Sequence, residues 1–211
     1  MRLVANALCD ALADAWERWA LRCADLTATQ WCTATRCESW DVRALVAHVC
    51  PEATTFASLV ASRAEGPAAV TDAAEMLRLF NRPDGVANTT ADRIAEQAAT
   101  QAPTLTQAAA AARFSEAAAR MRRMPEMTRP GDVVIRYPIV GSTTLAVVAE
   151  VALLEATVHL LDLADAVGGV TPSDAALAAT RDLLIAIPDP AAAVEVLAGR
   201  KPAQGVVPAI R

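Results

Sequence analysis

The run TTLAVVAEVALLEATVHLLDLADAV, residues 143–167, decides the fold. It contains no proline or glycine, it is apolar on most of its faces, and Gly168-Gly169 closes it, so it reads as a long helix with a glycine stop. It is not a membrane span: Glu150, Glu155, His159, Asp162 and Asp165 all fall inside the apolar region, and each would be costly in hydrocarbon. The helix must therefore be buried in protein.

Upstream of it, Pro130-Gly131-Asp132 breaks the chain and Val133–Tyr137 is the one strand-like run, a short extended piece before Pro138 and Gly141. A long helix is predicted from about Thr90 to Met124, kinked or interrupted at Pro103. Asn81-Arg82-Pro83-Asp84-Gly85 is a turn. A short helix capped by Thr71 or Asp72 precedes it and runs through Met76, Leu77 and Phe80, after the stop signal Glu65-Gly66-Pro67. Asp41 is a candidate N-cap for a helix whose Val42, Leu45, Val46 and Val49 follow at i, i+3, i+4, i+7. A polar stretch, Thr27 to Ser39, separates it from a first helix over about Val4–Arg22, with Leu8, Leu12, Ala15 and Trp19 on one face. Downstream, a last helix follows Thr171-Pro172-Ser173-Asp174 and runs toward Ile187, where Pro188 and Pro190 end it, and an irregular tail follows from Ala198.

Composition agrees with this all-α reading. Of 211 residues, 54% are hydrophobic and only 4% aromatic. Alanine dominates the apolar fraction; it favours helix and close helix–helix approach, whereas a β-sandwich needs β-branched and aromatic residues. Four main helices with shorter additions suggest a bundle with long crossover connections. The expected organisation is a helical bundle over residues 1–170, with residues 171–211 as a C-terminal helical extension and irregular tail packing on it. A net charge of −5 argues against a nucleic-acid partner, which needs a basic footprint. The N-terminal residues carry Asp10, Asp14 and Glu17 in place of a basic, then apolar, leader, so a soluble cytoplasmic protein is expected.

Five cysteines (Cys9, Cys23, Cys32, Cys37, Cys50) form no C-x-x-C pair. They read as reduced, mostly buried small hydrophobes, with a catalytic thiol as the other reading. The chain has two histidines, His48 and His159, each inside an apolar helix. Glu155 and His159 stand at i and i+4 and share a face, which Asp162 extends by i+3. A carboxylate buried in a bundle costs several kcal/mol unless it is paired or bound to a metal. Two readings stay open on spacing alone. Either Glu155 and His159 satisfy each other, or a divalent cation takes both together with His48; His₂Glu suits zinc and leaves a fourth position open.

Trp31, Cys37 and the run Trp40-Asp41-Val42-Arg43-Ala44-Leu45-Val46-Ala47-His48 resemble the opening signature of the mycothiol-dependent maleylpyruvate isomerase family. Glu155-Ala156-Thr157-Val158-His159-Leu160-Leu161-Asp162-Leu163-Ala164 resembles its second signature. The resemblance spans roughly Val4 to Gly168 and rests on two motifs in the right order. It implies a DinB-like, metal-binding four-helix bundle whose ligands are His48, Glu155 and His159. It also implies a divalent metal, zinc being the expected ion, with mycothiol as thiol cosubstrate and a small electrophile as its partner.

Leu160-Leu161 stands where relatives commonly carry Gly-Trp, and only 52 residues follow His159, fewer than the additional C-terminal domain of the family isomerases. The expected activity is accordingly a metal-dependent S-transferase, in which a metal-bound mycothiol thiolate attacks an electrophilic small molecule. The alternatives are a mycothiol-dependent cis–trans isomerase of the maleylpyruvate type, a non-catalytic metal-stabilised binding module, and a hydrolase using zinc-bound hydroxide. No protein nucleophile is required. Asp162 is the candidate for orienting a ligand histidine, its other reading being an exposed helix carboxylate. Arg78 and Arg82 are candidates for an anionic substrate, their other reading being solvated arginines. Trp31 and Trp40 are read as anchors of the loop against the bundle.

Overall fold

A computed structural model describes residues 5–38, 40–52 and 55–208; Val4, where the first helix was expected to begin, Ser39 and the last three residues of the tail lie outside them. Eleven α-helices, three short 3₁₀ turns and one two-stranded hairpin make up the regular structure of the described residues. They are α1 (Ala5–Asp25), α2 (Ala28–Trp31), α3 (Val42–Val49), α4 (Thr55–Ala61), α5 (Ala73–Phe80) and α6 (Val86–Thr89). After these come α7 (Ala91–Gln101), α8 (Gln107–Arg123), strands β1 (Val134–Tyr137) and β2 (Gly141–Thr144), then α9 (Leu145–Val167), α10 (Asp174–Ala186) and α11 (Pro190–Leu197).

The caps explain where the helices start. Side-chain oxygens of Asp41, Asp72, Thr106, Thr144, Ser173 and Asp189 each accept from a backbone N–H in the first turn of the helix that follows, satisfying donors that have no intrahelical partner. Of the two candidates before α5, Asp72 is the one that caps. The predicted helix from Thr90 to Met124 is two helices: a 3₁₀ turn over Ala102–Thr104 separates them at Pro103, which has no N–H to give. The polar stretch before α3 contains α2, opened by a capping box between Thr27 and Gln30.

Two elements correct the sequence reading. Gly141–Thr144 pairs antiparallel with Val134–Tyr137, so the extended piece is a hairpin. And Pro190 starts a helix instead of only ending one: it occupies the first turn of α11, where its fixed φ is an advantage.

The core lies between α1, α8, α3 and α9. Trp19 is fully buried and stacks on Phe114 of α8 with ring centroids 5.3 Å apart. Small residues, Ala13 and Ala20 on α1 and Ala110, Ala117 and Ala118 on α8, are buried there too and permit close approach of the backbones. The second face of α9 is covered by α5 and α10: Leu77, Leu154 and Ile187 form a separate buried cluster with Leu183 and Leu184. Each fully buried large apolar side chain is worth about 1.5–3 kcal/mol, and α9, covered on both sides, is the axis of the molecule. No described helix is long and apolar enough to cross a membrane.

Both ends of α9 are tied down. Thr144 ends β2 and caps α9 in the same residue, while the hydroxyl of Thr143 donates to the Val70 carbonyl at 2.8 Å. At the other end, buried Arg22 donates from Nε to the Gly168 carbonyl (2.8 Å) and from Nη2 to that of Val167 (2.9 Å). Gly168 and Gly169 have φ of 64° and 77°, which a side chain would resist.

Candidate metal centre

α3 is eight residues long. Asp41 fixes its first turn by accepting from the Ala44 N–H at 2.8 Å, and Cys50 is extended (ψ 116°) ahead of Pro51, as a residue before proline prefers. This places His48 in the last turn, with Val42, Leu45 and Val46 of the same helix fully buried. α9 contributes Glu155, His159 and Asp162 from adjacent turns. Its backbone is held there by the Trp19 indole N–H, which donates to the Ala156 carbonyl at 2.9 Å.

The structure brings the three histidine and glutamate side chains together. His159 Nε2 lies 3.4 Å and His48 Nε2 3.7 Å from Glu155 Oε2, and the three donor atoms are all within 4.8 Å of one another. The two imidazoles stand edge to face at 88°, centroids 5.1 Å apart. The Trp40 ring covers both, 4.7 Å from His48 and 6.2 Å from His159. The Glu155 side chain is 42% exposed, so one side of the cluster meets solvent.

The opposite edge of His159 is closed by a carboxylate. Its Nδ1 lies 2.8 Å from Asp162 Oδ2, and Asp162 is buried. The second Asp162 oxygen accepts from Arg36 Nε at 2.6 Å, and the Cys37 thiol donates to Oδ2 at 3.2 Å. Arg36 and Cys37 arrive on a loop that is itself pinned. Thr35 Oγ1 donates to the Trp40 carbonyl (2.9 Å) and accepts from the Cys37 N–H (3.2 Å), and Ala34 bridges to Asp41.

The electrostatics follow from this contact set. Burial pushes the Glu155 carboxyl up, but the imidazoles of His159 and His48 beside it outweigh this and hold it at about 2. Burial pulls the His159 imidazole down, but Asp162 and Glu155 carry it to about 9. Asp162 is held at about 2, the cost of burial being overcome by His159, Arg36 and Cys37. Cys37 is pushed the other way, to about 11, by burial and by the Asp162 carboxylate beside it.

The donor chemistry fits a divalent ion. Imidazole nitrogen and carboxylate oxygen are zinc ligands at about 2.0–2.2 Å, and tetrahedral coordination at those lengths sets neighbouring donors about 3.4 Å apart. The observed 3.4 and 3.7 Å match that spacing and exceed that of a good hydrogen bond. Three side chains would leave one position for an exogenous ligand.

Other sequence-predicted residues are placed elsewhere. Arg78 Nη1 donates to the carbonyls of Ala186 and Ile187 at the end of α10, so its guanidinium serves that helix terminus. Arg82 is exposed in the turn after α5. Trp31 is buried in the core as an anchor; Trp40, expected to anchor, does so while also covering the two imidazoles. Cys9 and Cys23 are buried and Cys32 is exposed. Arg36 and the contact of Cys37 with Asp162 escaped sequence reasoning. The only signal was the position of Cys37 three residues before the Trp40 that opens the helix motif.

Residues 12–164 match the family model described as the mycothiol maleylpyruvate isomerase N-terminal domain. Searches of curated proteins and of solved structures each returned no match. The family match covers most of the chain, and the protein belongs to that family.

Proposed function

We propose that this chain is a metal-dependent S-transferase that joins mycothiol to a small electrophile. The observation that carries the reading is the convergence of His48, Glu155 and His159 within 4.8 Å, inside a chain of this family. These three residues would hold a divalent ion, zinc by donor type. When bound, that ion supplies a positive charge that makes a thiol available as thiolate at neutral pH.

The chain's own residues do the rest. Asp162 accepts from His159 Nδ1 and so turns Nε2 toward Glu155; Arg36 and Cys37 fix Asp162. Trp40 keeps both imidazoles in place and shields that side from water. In the net reaction the thiol S–H is lost and an S–C bond forms. The electrophile's leaving group departs with the displaced electron pair, or an added proton completes the product.

The second reading is mycothiol-dependent cis–trans isomerisation, which the family's description supports. It shares the S–C bond-forming event and then reverses it after rotation about the former double bond. S-transfer is favoured because Arg78, one of the two candidates for an anionic substrate, is occupied at the end of α10. The same reading includes a DinB-like four-helix arrangement of α1, α3, α7–α8 and α9. It divides the chain at residue 170, with α10 and α11 as an extension; the packing of α1 and α3 on α8, α7 and α9 supports it.

The test is mycothiol consumption, followed by mass spectrometry of thiol adducts, with neutral epoxides and α,β-unsaturated ketones. Turnover that is lost on chelation and restored by zinc supports the S-transferase. A folded, metal-loaded protein that turns over none of these electrophiles but isomerises a cis-dicarboxylate in the presence of mycothiol favours the isomerase. Absence of both activities favours a metal-stabilised binding module.

A further inference from the structure

His159 shows its two ring nitrogens to two different donor sets. Nε2 faces Glu155 and His48. Nδ1 faces Asp162 Oδ2 at 2.8 Å and Cys37 Sγ at 4.0 Å, while Sγ and Oδ2 are 3.2 Å apart. The three atoms of the second set also lie within 4.8 Å of one another, and none of the three residues is exposed. With metal–sulfur bonds of about 2.3 Å and nitrogen or oxygen bonds of about 2.0–2.2 Å, tetrahedral donors stand about 3.4–3.6 Å apart. The observed separations straddle that range.

Little needs to move for a cation to enter. Asp162 is fixed through its other oxygen by Arg36, and the Cys37 backbone is fixed by Thr35. The donor types also select the ion. Sulfur is the soft ligand that favours thiophilic d¹⁰ cations over hard ones. A thiolate and a carboxylate together neutralise a dication, whereas Glu155 alone among the first three residues carries negative charge.

We propose that Cys37, His159 and Asp162 form a second metal site, selective for a thiophilic dication such as Cd²⁺, that competes with the His48, Glu155 and His159 set. Competition follows from valence. A neutral imidazole has one ring lone pair, so His159 can serve one set at a time. Binding expels two protons to solvent, that of the Cys37 thiol and that of His159 Nδ1, and leaves the remaining His159 ring proton on Nε2, turned away from the bound ion; no electrons are transferred. The site itself rests on the geometry around Nδ1, while its competition with the first set rests on the proposed metal binding by His48, Glu155 and His159.

The test is titration of the full-length, metal-free protein with Cd²⁺, read by thiolate-to-cadmium charge-transfer absorption in the ultraviolet. One equivalent saturates the band in the wild type. Cys37→Ser abolishes it, Cys32→Ser preserves it, and Asp162→Asn weakens Cd²⁺ binding at least tenfold. His48→Ala keeps the band, because it removes a ligand only from the first set; this separates the proposal from the function assigned to that set. Bleaching the band takes less zinc in the wild type than in His48→Ala, where only direct displacement from the second set remains. On wild-type protein, alkylation followed by peptide mass mapping provides a check that needs no variant: Cd²⁺ protects Cys37 and leaves Cys32 open. A band that survives Cys37→Ser, unprotected Cys37, or zinc and cadmium bound together at one equivalent each overturns the proposal.

Discussion

Asp162 Oδ2 sits 2.8 Å from His159 Nδ1, and the carboxylate is buried while the imidazole is only slightly exposed. A ligand histidine that donates its other ring N–H to a carboxylate is fixed in tautomer and orientation, and loss of such a partner commonly costs about 10–100-fold in metal affinity. Asp162→Asn is therefore expected to weaken zinc binding by about 10–100-fold with the helical circular dichroism unchanged. Competition against a chromophoric chelator measures it; equal affinity in the variant would remove Asp162 from the centre.

His48→Ala and His159→Ala should each lose stoichiometric zinc, as measured by elemental analysis of the purified protein, while remaining helical. Glu155→Gln should bind zinc more weakly than wild type, since it neutralises the one anionic member of the set. Full occupancy in either alanine variant contradicts the assignment.

With metal removed by chelator, His159 gives stability a definite dependence on pH. Its pKa is raised from 6.5 to about 9 in the folded chain, so its contribution is complete below pH 6.5 and is lost as pH rises through about 9. Urea unfolding of the chelated protein should show a midpoint that falls between pH 6.5 and 9, and His159→Asn should flatten that fall. A wild-type midpoint that stays level across the window would disprove the coupling between His159 and its two carboxylates.

Arg22 offers a prediction away from the centre. Replacing it with methionine keeps much of the apolar stem but leaves the Gly168 carbonyl without its side-chain donor and the Val167 carbonyl with only the longer 3.5 Å contact from Gln30 Nε2. The expected loss is about 1–3 kcal/mol in chemical denaturation. A change within experimental error would show that water replaces the guanidinium at no cost.

Much of the scaffold was legible because it is built from local signals. The i, i+3, i+4, i+7 stripe behind Asp41 and the apolar run closed by Gly168 produced α3 and α9 as expected. The hairpin was half legible. Val134–Tyr137 has strand propensity of its own, but Gly141–Thr144 is a strand only because of what it pairs with. α11 was hidden by reading Pro190 solely as a breaker. The proximity of His48 to Glu155 has no local signature, since only tertiary packing joins α3 to α9; the two family motifs stood in for it. The Arg36–Asp162 and Cys37–Asp162 contacts had no substitute. They depend on a non-periodic loop shaped by the Thr35 hydroxyl.

Because α9 is anchored at Thr144 and again at Gly168, its azimuth cannot drift. Each residue advances the helix by about 100°. A single residue inserted between Val147 and Leu154 would swing the downstream acid and imidazole out of phase with α3, unless the extra unit were swallowed as a π-bulge. Length variation is thus barred from this stretch by rotation rather than by bulk, and evolution is left free to adjust the chain only in the connections outside the two moorings.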